Sequence, residues 1–117
     1  MPSAERRSSR VFISHPFSGS PVANVALVRQ IAQRLAAAMH LPLAPQLYLP
    51  QFIDEATERA LALRLCLELV ALSDELHVYG EISAGMRLEI AEAHRLGIPV
   101  IDGVTGVRLL PKGEPPR

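Results

Sequence analysis

Hydrophobic and polar positions along the chain fall into two alternating kinds of run. Short apolar runs at Val11–Ser14 (VFIS), Leu41–Pro45 (LPLAP), Glu75–Tyr79 (ELHVY) and Ile98–Ile101 (IPVI) have the length of buried strands. The prolines around the second predict a place near the sheet edge, because proline brings no N–H to a ladder. Longer runs with a period near 3.6 lie between them. From Pro21 to about Met39 this period turns Val25, Val28, Ile31, Ala32 and Leu35 to one side. Ser20-Pro21 reads as a helix start, serine as N-cap and proline at the first helical position. Further helices are predicted over Glu55–Leu72 and Ala84–Gly97. Strand and helix in alternation, with strands apolar on both faces, predict an α/β fold. It is a small doubly wound parallel sheet of four to five strands, flavodoxin-like or Rossmann-like, with helices on both faces. The ends, 1–10 and 103–117, are polar or proline-rich and read as tails around one domain at 11–102.

Two helices depart from a simple one-sided pattern. In the middle one, Leu61, Leu63, Leu65, Leu67, Leu69, Val70 and Leu72 cover most of the circumference, leaving a narrow polar strip around Arg64 and Glu68. A helix on a sheet needs one apolar stripe, so the excess predicts a second packing partner, a homodimer or a higher homo-oligomer. In the last helix Met86, Ile90, Ala93, Leu96 and Gly97 share one arc, with Arg87, Glu92, His94 and Arg95 opposite. Glu89 falls between Ala93 and Leu96, which points a carboxylate inward.

In doubly wound sheets ligands sit outside the carboxyl ends of the strands, where the strand order switches. Three loops converge there: SHPFSGS, QLYLPQF and GEISAG. Ser14, His15, Ser18 and Gly19 from the first, with Ser83 and Gly85 at the start of the Glu89 helix, form a candidate substrate or phosphate seat. Tyr48 and Gln51 are candidates for base binding. The glycine spacings match neither a P-loop nor a dinucleotide fingerprint. A carboxylate beside such a seat could attack a sugar C1, act as a base, or hold a ribose hydroxyl. An apolar wall would raise its pKa and the helix start would lower it.

Composition narrows the setting. At 117 residues, 49% hydrophobic and 21% charged, the chain suits one globular domain. Twelve basic residues balance twelve acidic ones, and with two Tyr, three Phe and no Trp the sequence predicts no nucleic-acid polymer as partner. No run has the length of a membrane span and no apolar signal core opens the chain; with one cysteine, Cys66, it reads as cytoplasmic, without membrane contact. Cys66 reads as inert core, His77 as a core or interface residue and Asp74 as a turn residue. No His/Cys/Asp cluster has metal-ligand spacing, and no metal or other cofactor is predicted.

Ser-x-Gly-x-x-x-Glu at Ser83, Gly85 and Glu89, together with FISHPFSG after the first strand, resembles the nucleoside 2-deoxyribosyltransferase superfamily. APQLYLPQF (Ala44–Phe52) and the stretch Asp74–Val100 resemble a little-characterised bacterial and phage branch of it. The resemblance covers roughly Val11 to Ile101 and implies a flavodoxin-like fold and a small-molecule nucleoside or nucleotide as partner. It makes Glu89 the counterpart of a nucleophile at the anomeric carbon and Ser83 the counterpart of a 5'-phosphate ligand in the monophosphate hydrolases. Gly19, Gly85 and adjacent amides would help hold phosphate or sugar. Phe12 stands where the transferases usually carry a tyrosine, and the place of an aspartate that assists the base falls near Cys66. Asp54, Glu55 or Tyr48 are substitutes for that aspartate. The implied function is an N-glycosidic-bond hydrolase or a deoxyribosyltransferase. The alternative is a catalytically impaired nucleotide-binding or sensing module of the same fold, and a third reading is an oligomeric interaction protein with an empty crevice.

Overall fold

The computed structural model describes residues 8–112. Four strands, β1 (Arg10–Ser14), β2 (Leu41–Leu43), β3 (Glu75–Val78) and β4 (Val100–Asp102), form one parallel sheet in the order β2-β1-β3-β4. Helix α1 (Pro21–Ala37) links β1 to β2, α2 (Arg59–Leu72) links β2 to β3, and α3 (Ala84–Arg95) links β3 to β4. The chain leaves β1 towards one edge and crosses back to β3 on its other side. Right-handed crossovers then place α1 on one face and α2 with α3 on the other.

Alternation along β1 serves both layers. Phe12, fully buried, packs with Val70, Leu76, Met86, Ala93 and Val100 beneath α2 and α3. Ile13 points the opposite way, to Val28, Ile31 and Tyr79 beneath α1. A period of two therefore turns Ser14 to the same side as Phe12, towards α3. The proline-flanked strand β2 lies at the sheet edge, as its sequence predicts.

Element ends differ from the sequence reading for identifiable reasons. Ser20 occupies the N-cap of α1 without a side-chain cap bond; instead the Asn24 side-chain amide donates to the carbonyls of Phe17 and Ser18, each at 3.1 Å. Helix α2 begins at Arg59 and not at Glu55. Asp54 accepts from the Ala56 N–H at 2.8 Å in an Asx-type turn, a local competitor of the helix. Helix α3 stops at Arg95, because Gly97 adopts φ 74° and the Ile98 N–H returns to the Ala93 carbonyl at 2.8 Å. Helix α1 closes in the same manner, the His40 N–H reaching the Leu35 carbonyl at 2.9 Å, but with Met39 at φ 68° in the left-handed place.

Beyond β4 the chain turns back along the sheet edge. Asp102 accepts from the Val104 and Thr105 N–H groups, and the Leu109 N–H donates to the Val100 carbonyl at 2.7 Å. The segment read as a C-terminal tail thus begins with a return onto β4; residues 1–7 and 113–117 of the two tails lie outside the described residues. Gly103 passes so close to the Tyr79 ring that an added Cβ would lie 2.2 Å from it. Among the described residues no helix is long and apolar enough to cross a membrane.

Candidate active site

The carboxyl ends of β1 and β3, where the strand order switches, open into a cavity of about 390 Å³. Its walls come from each of the three predicted loops and from α2. His15, Phe17 and Ser18 supply one side, Gln46, Leu49 and Pro50 the second, and Ser83, Gly85, Met86 and Glu89 the third. One stripe of α2, Arg59, Ala62, Leu63 and Cys66, closes the fourth. Two successive helical turns separate Arg59 from Cys66, so this helix runs the length of the cavity, roughly 10 Å at the usual rise.

Glu89 is the buried acid of the cavity. It lies one and a half turns into α3, and the helical period aims its carboxylate at the sheet and the cavity. The Ser14 hydroxyl donates to Glu89 Oε1 at 2.8 Å, from a residue with no exposure. Burial lifts the Glu89 pKa from 4.5 to about 7, against the opposing pull of the Ser14 hydrogen bond. The acid and the carboxylate are therefore both accessible near neutral pH. Desolvation raises it, and one directed donor keeps it within reach of ionisation.

The remaining predicted residues take distinct places. Ser83 is the N-cap of α3, its hydroxyl oxygen accepting the Met86 N–H at 3.2 Å, and it lines the cavity with Gly85. His15 lines it too, with Nδ1 2.9 Å from the Pro16 carbonyl. Ser18 reaches the cavity and Gly19 does not. Ser14 is spent on Glu89 and stands behind the cavity wall. Tyr48 and Gln51 are exposed and do not line the cavity; Tyr48 packs against Phe52 with ring centroids 6.2 Å apart.

Two short 3₁₀ turns, Pro45–Leu47 and Leu49–Gln51, cause that outward placement. Three residues per turn put i and i+3 on one side. Gln46 and Leu49 take the inner side, and Tyr48 and Gln51 the outer. Gln46 is thus a site residue the sequence reading missed. Its amide nitrogen donates to the His15 carbonyl at 2.5 Å, tying the second loop to the first, and its buried Oε1 has no partner. Arg59 was missed as well: it belonged to a helix read by its leucines. Of the substitutes Asp54, Glu55 and Tyr48, Glu55 lines the cavity. Cys66 also lines it, but burial, with Glu89 and Glu55 nearby, pushes its thiol up to about 12, which keeps it protonated and unreactive. Phe12, sealed in the core, sits outside the cavity. Among the described residues no cluster of three or more His, Cys, Asp or Glu could hold a metal ion.

Residues 9–102 match a family described as a domain of unknown function, DUF7768. The chain belongs to the DUF7768 family. No curated protein matches this DUF7768 chain. Solved structures do. A 2-deoxyribosyltransferase from the psychrotolerant bacterium Bacillus psychrosaccharolyticus superposes with a TM-score of 0.59 at 18% identity, over 93% of this chain and 77% of that one. A conserved protein from Enterococcus faecalis V583 superposes with a TM-score of 0.57 at 26% identity, over 81% of this chain and 62% of that one. The DUF7768 chain therefore has a nucleoside 2-deoxyribosyltransferase-like fold, a doubly wound Rossmann-like sheet.

Proposed function

We propose that the DUF7768 protein breaks an N-glycosidic bond, as a hydrolase or a deoxyribosyltransferase on a nucleoside or nucleoside 5'-monophosphate, with Glu89 as nucleophile. The observation that carries this reading is the Glu89 carboxyl, facing a cavity of about 390 Å³ with Ser14 hydrogen-bonded to one of its oxygens. That volume lies within the ordinary range for small-molecule sites. Likeness in fold to a 2-deoxyribosyltransferase supports the class of substrate.

In this mechanism the Ser14 bond holds Oε1 and leaves Oε2 to attack. Oε2 of the ionised carboxylate bonds to the sugar C1, the C1–N bond breaks, and its electron pair leaves with the base, which takes up a proton. The product is a glycosyl ester. Water attacks C1 of that ester in a hydrolase, and a second base does so in a transferase; either step returns the Glu89 carboxylate. A partly desolvated carboxylate is a stronger nucleophile than a fully hydrated one, which suits the environment of Glu89.

A second reading, nucleotide binding without turnover, is favoured by the cysteine near the position of the base-assisting aspartate. A thiol held up to about 12 is a poor proton donor at neutral pH. One experiment separates the two. Deoxynucleosides and their 5'-monophosphates are incubated with the protein and with Glu89→Gln, and free base is measured by chromatography. Base released by the wild type and absent with Glu89→Gln supports the enzyme. Nucleotide binding with no base released from any compound selects the binding module.

We further propose that the protein assembles with a second copy of itself through α2, whose Ala60, Leu63, Leu67 and Ala71 line a shallow outer groove.

A further inference from the structure

Arg59 is the one lysine or arginine lining the cavity among the described residues. It sits at the first position of α2, with a side chain 69% exposed. Glu55 stands beside it, with Arg59 Nη1 3.8 Å from Oε1, beyond hydrogen-bond reach. An open pair of this kind contributes little by itself, and it leaves the guanidinium donors available. Cys66, two turns further along the same stripe, feels the charges of both Glu89 and Glu55. The stripe therefore runs from a cation at the mouth to the nucleophile at the floor, with one carboxylate, Glu55, standing beside the cation.

Helices α2 and α3 pack side by side and run the same way, since each leaves the carboxyl end of the sheet and returns to its amino end. Arg59 therefore lies at the level where α3 begins, at Ser83 and Ala84, also on the cavity wall. Glu89 is five residues deeper in α3, roughly 7 Å along the axis. A sugar with C1 at Glu89 has its 5' substituent or the far edge of its base at that level. Charge decides between them: an arginine with unused paired donors fits a phosphate far better than a neutral ring edge.

We propose that Arg59 is a specificity residue that binds a phosphate on the sugar of the substrate, taking it in exchange for Glu55 and selecting nucleoside monophosphates over nucleosides. This rests on the N-glycosidic reading for what happens to the ligand, but not for its binding. With the cavity empty, Glu55 supplies the counter-charge; an incoming phosphate replaces it and engages the planar fork.

The test compares kcat/KM for a deoxynucleoside 5'-monophosphate and the matching deoxynucleoside in wild type, Arg59→Gln and Glu55→Gln. The preference for the monophosphate falls about tenfold or more in Arg59→Gln, as for loss of a charge-assisted hydrogen bond. It rises in Glu55→Gln, where the competing carboxylate is gone. A preference unchanged in Arg59→Gln, or one that falls in both variants, overturns the proposal. Arg59 is mostly exposed, so an unchanged melting temperature shows that its replacement left the fold intact. If the wild type releases no base from either compound, the enzymatic reading fails, and calorimetry with the same two ligands decides on Arg59. Tighter monophosphate binding that Arg59→Gln abolishes sustains it, and equal binding of both ligands overturns it.

Discussion

Ser14 and Glu89, 75 residues apart, meet through one hydrogen bond of 2.8 Å from the serine hydroxyl to Oε1. The bond joins the end of the central strand to the helix over the cavity, and it favours the ionised carboxylate against a burial that disfavours it. Ser14→Ala removes the opposing pull, so the Glu89 pKa rises above about 7. A nucleophile works ionised; base release by the wild type therefore climbs with pH through about 7, and in Ser14→Ala the climb moves to higher pH. The variant is slow at neutral pH and recovers as the pH is raised further. A pH–rate profile of kcat/KM checks it, and a profile that falls through the same region would identify Glu89 as an acid and not a nucleophile.

The same carboxyl also bears on stability. Its pKa is about 7 in the folded protein and near 4.5 when solvated, so between those values the native state binds the proton more tightly than the unfolded chain. Stability is then highest below the lower value and declines as pH rises through the window. The interval corresponds to roughly 3 kcal/mol. Glu89→Gln has no such titration and keeps an oxygen to accept from Ser14. Its stability relative to wild type improves by about 2–3 kcal/mol from pH 4 to pH 8. Urea denaturation at the two pH values measures this; a difference independent of pH would show that Glu89 is well solvated.

Glu89 could be found from sequence because a helix of known phase leaves one angle for each side chain, and this carboxylate shares its arc with Ala93. The four strands and the edge place of β2 followed from apolar runs and proline, since both register burial directly. In sequence Ser14 reads with the candidate phosphate-seat serines, although a period of two puts it on the side of Phe12; its partner becomes visible only once β1 lies beneath α3. Gln46 and Arg59 were hidden for another reason. The second loop is built from 3₁₀ turns, whose i, i+3 pairing has no hydrophobic stripe to announce it, and Arg59 follows an Asx turn that a helical period does not foresee.

Met39 ends α1 in a left-handed conformation, φ 68°, that costs a side-chain-bearing residue about 1 kcal/mol. The corresponding place after α3 is held by Gly97. Met39 is 78% exposed, so its side chain gives little burial in return. Met39→Gly is expected to stabilise the fold by about 0.5–1 kcal/mol, the local strain relieved exceeding the added unfolded-state entropy. Chemical denaturation checks it, with an unchanged slope showing that the unfolded state is as exposed as before.

Helix α2 presents Ala60, Leu63, Leu67 and Ala71 along a shallow outer groove, bordered by Arg64 and Glu68 and by Glu92 of α3. Spacings of three and four residues make this a continuous apolar stripe of the kind that helices use against each other. The stripe is distinct from the cavity over most of its length. Arg64 and Glu68, 3.7 Å apart, sit one turn from each other. A two-fold pairing of α2 with its copy brings each arginine towards the opposite glutamate, so the face complements itself in charge as well as in shape. Leu67→Arg puts a like charge at the centre of both halves. The long arginine stem can carry its charge to solvent in the isolated chain, so the variant folds. Sedimentation velocity then finds a dimer for the wild type and a monomer for Leu67→Arg with the same melting cooperativity at high dilution. A wild-type protein that sediments as a monomer at millimolar concentration leaves this stripe of α2 without a partner of its own kind, and ends the case for assembly through this helix.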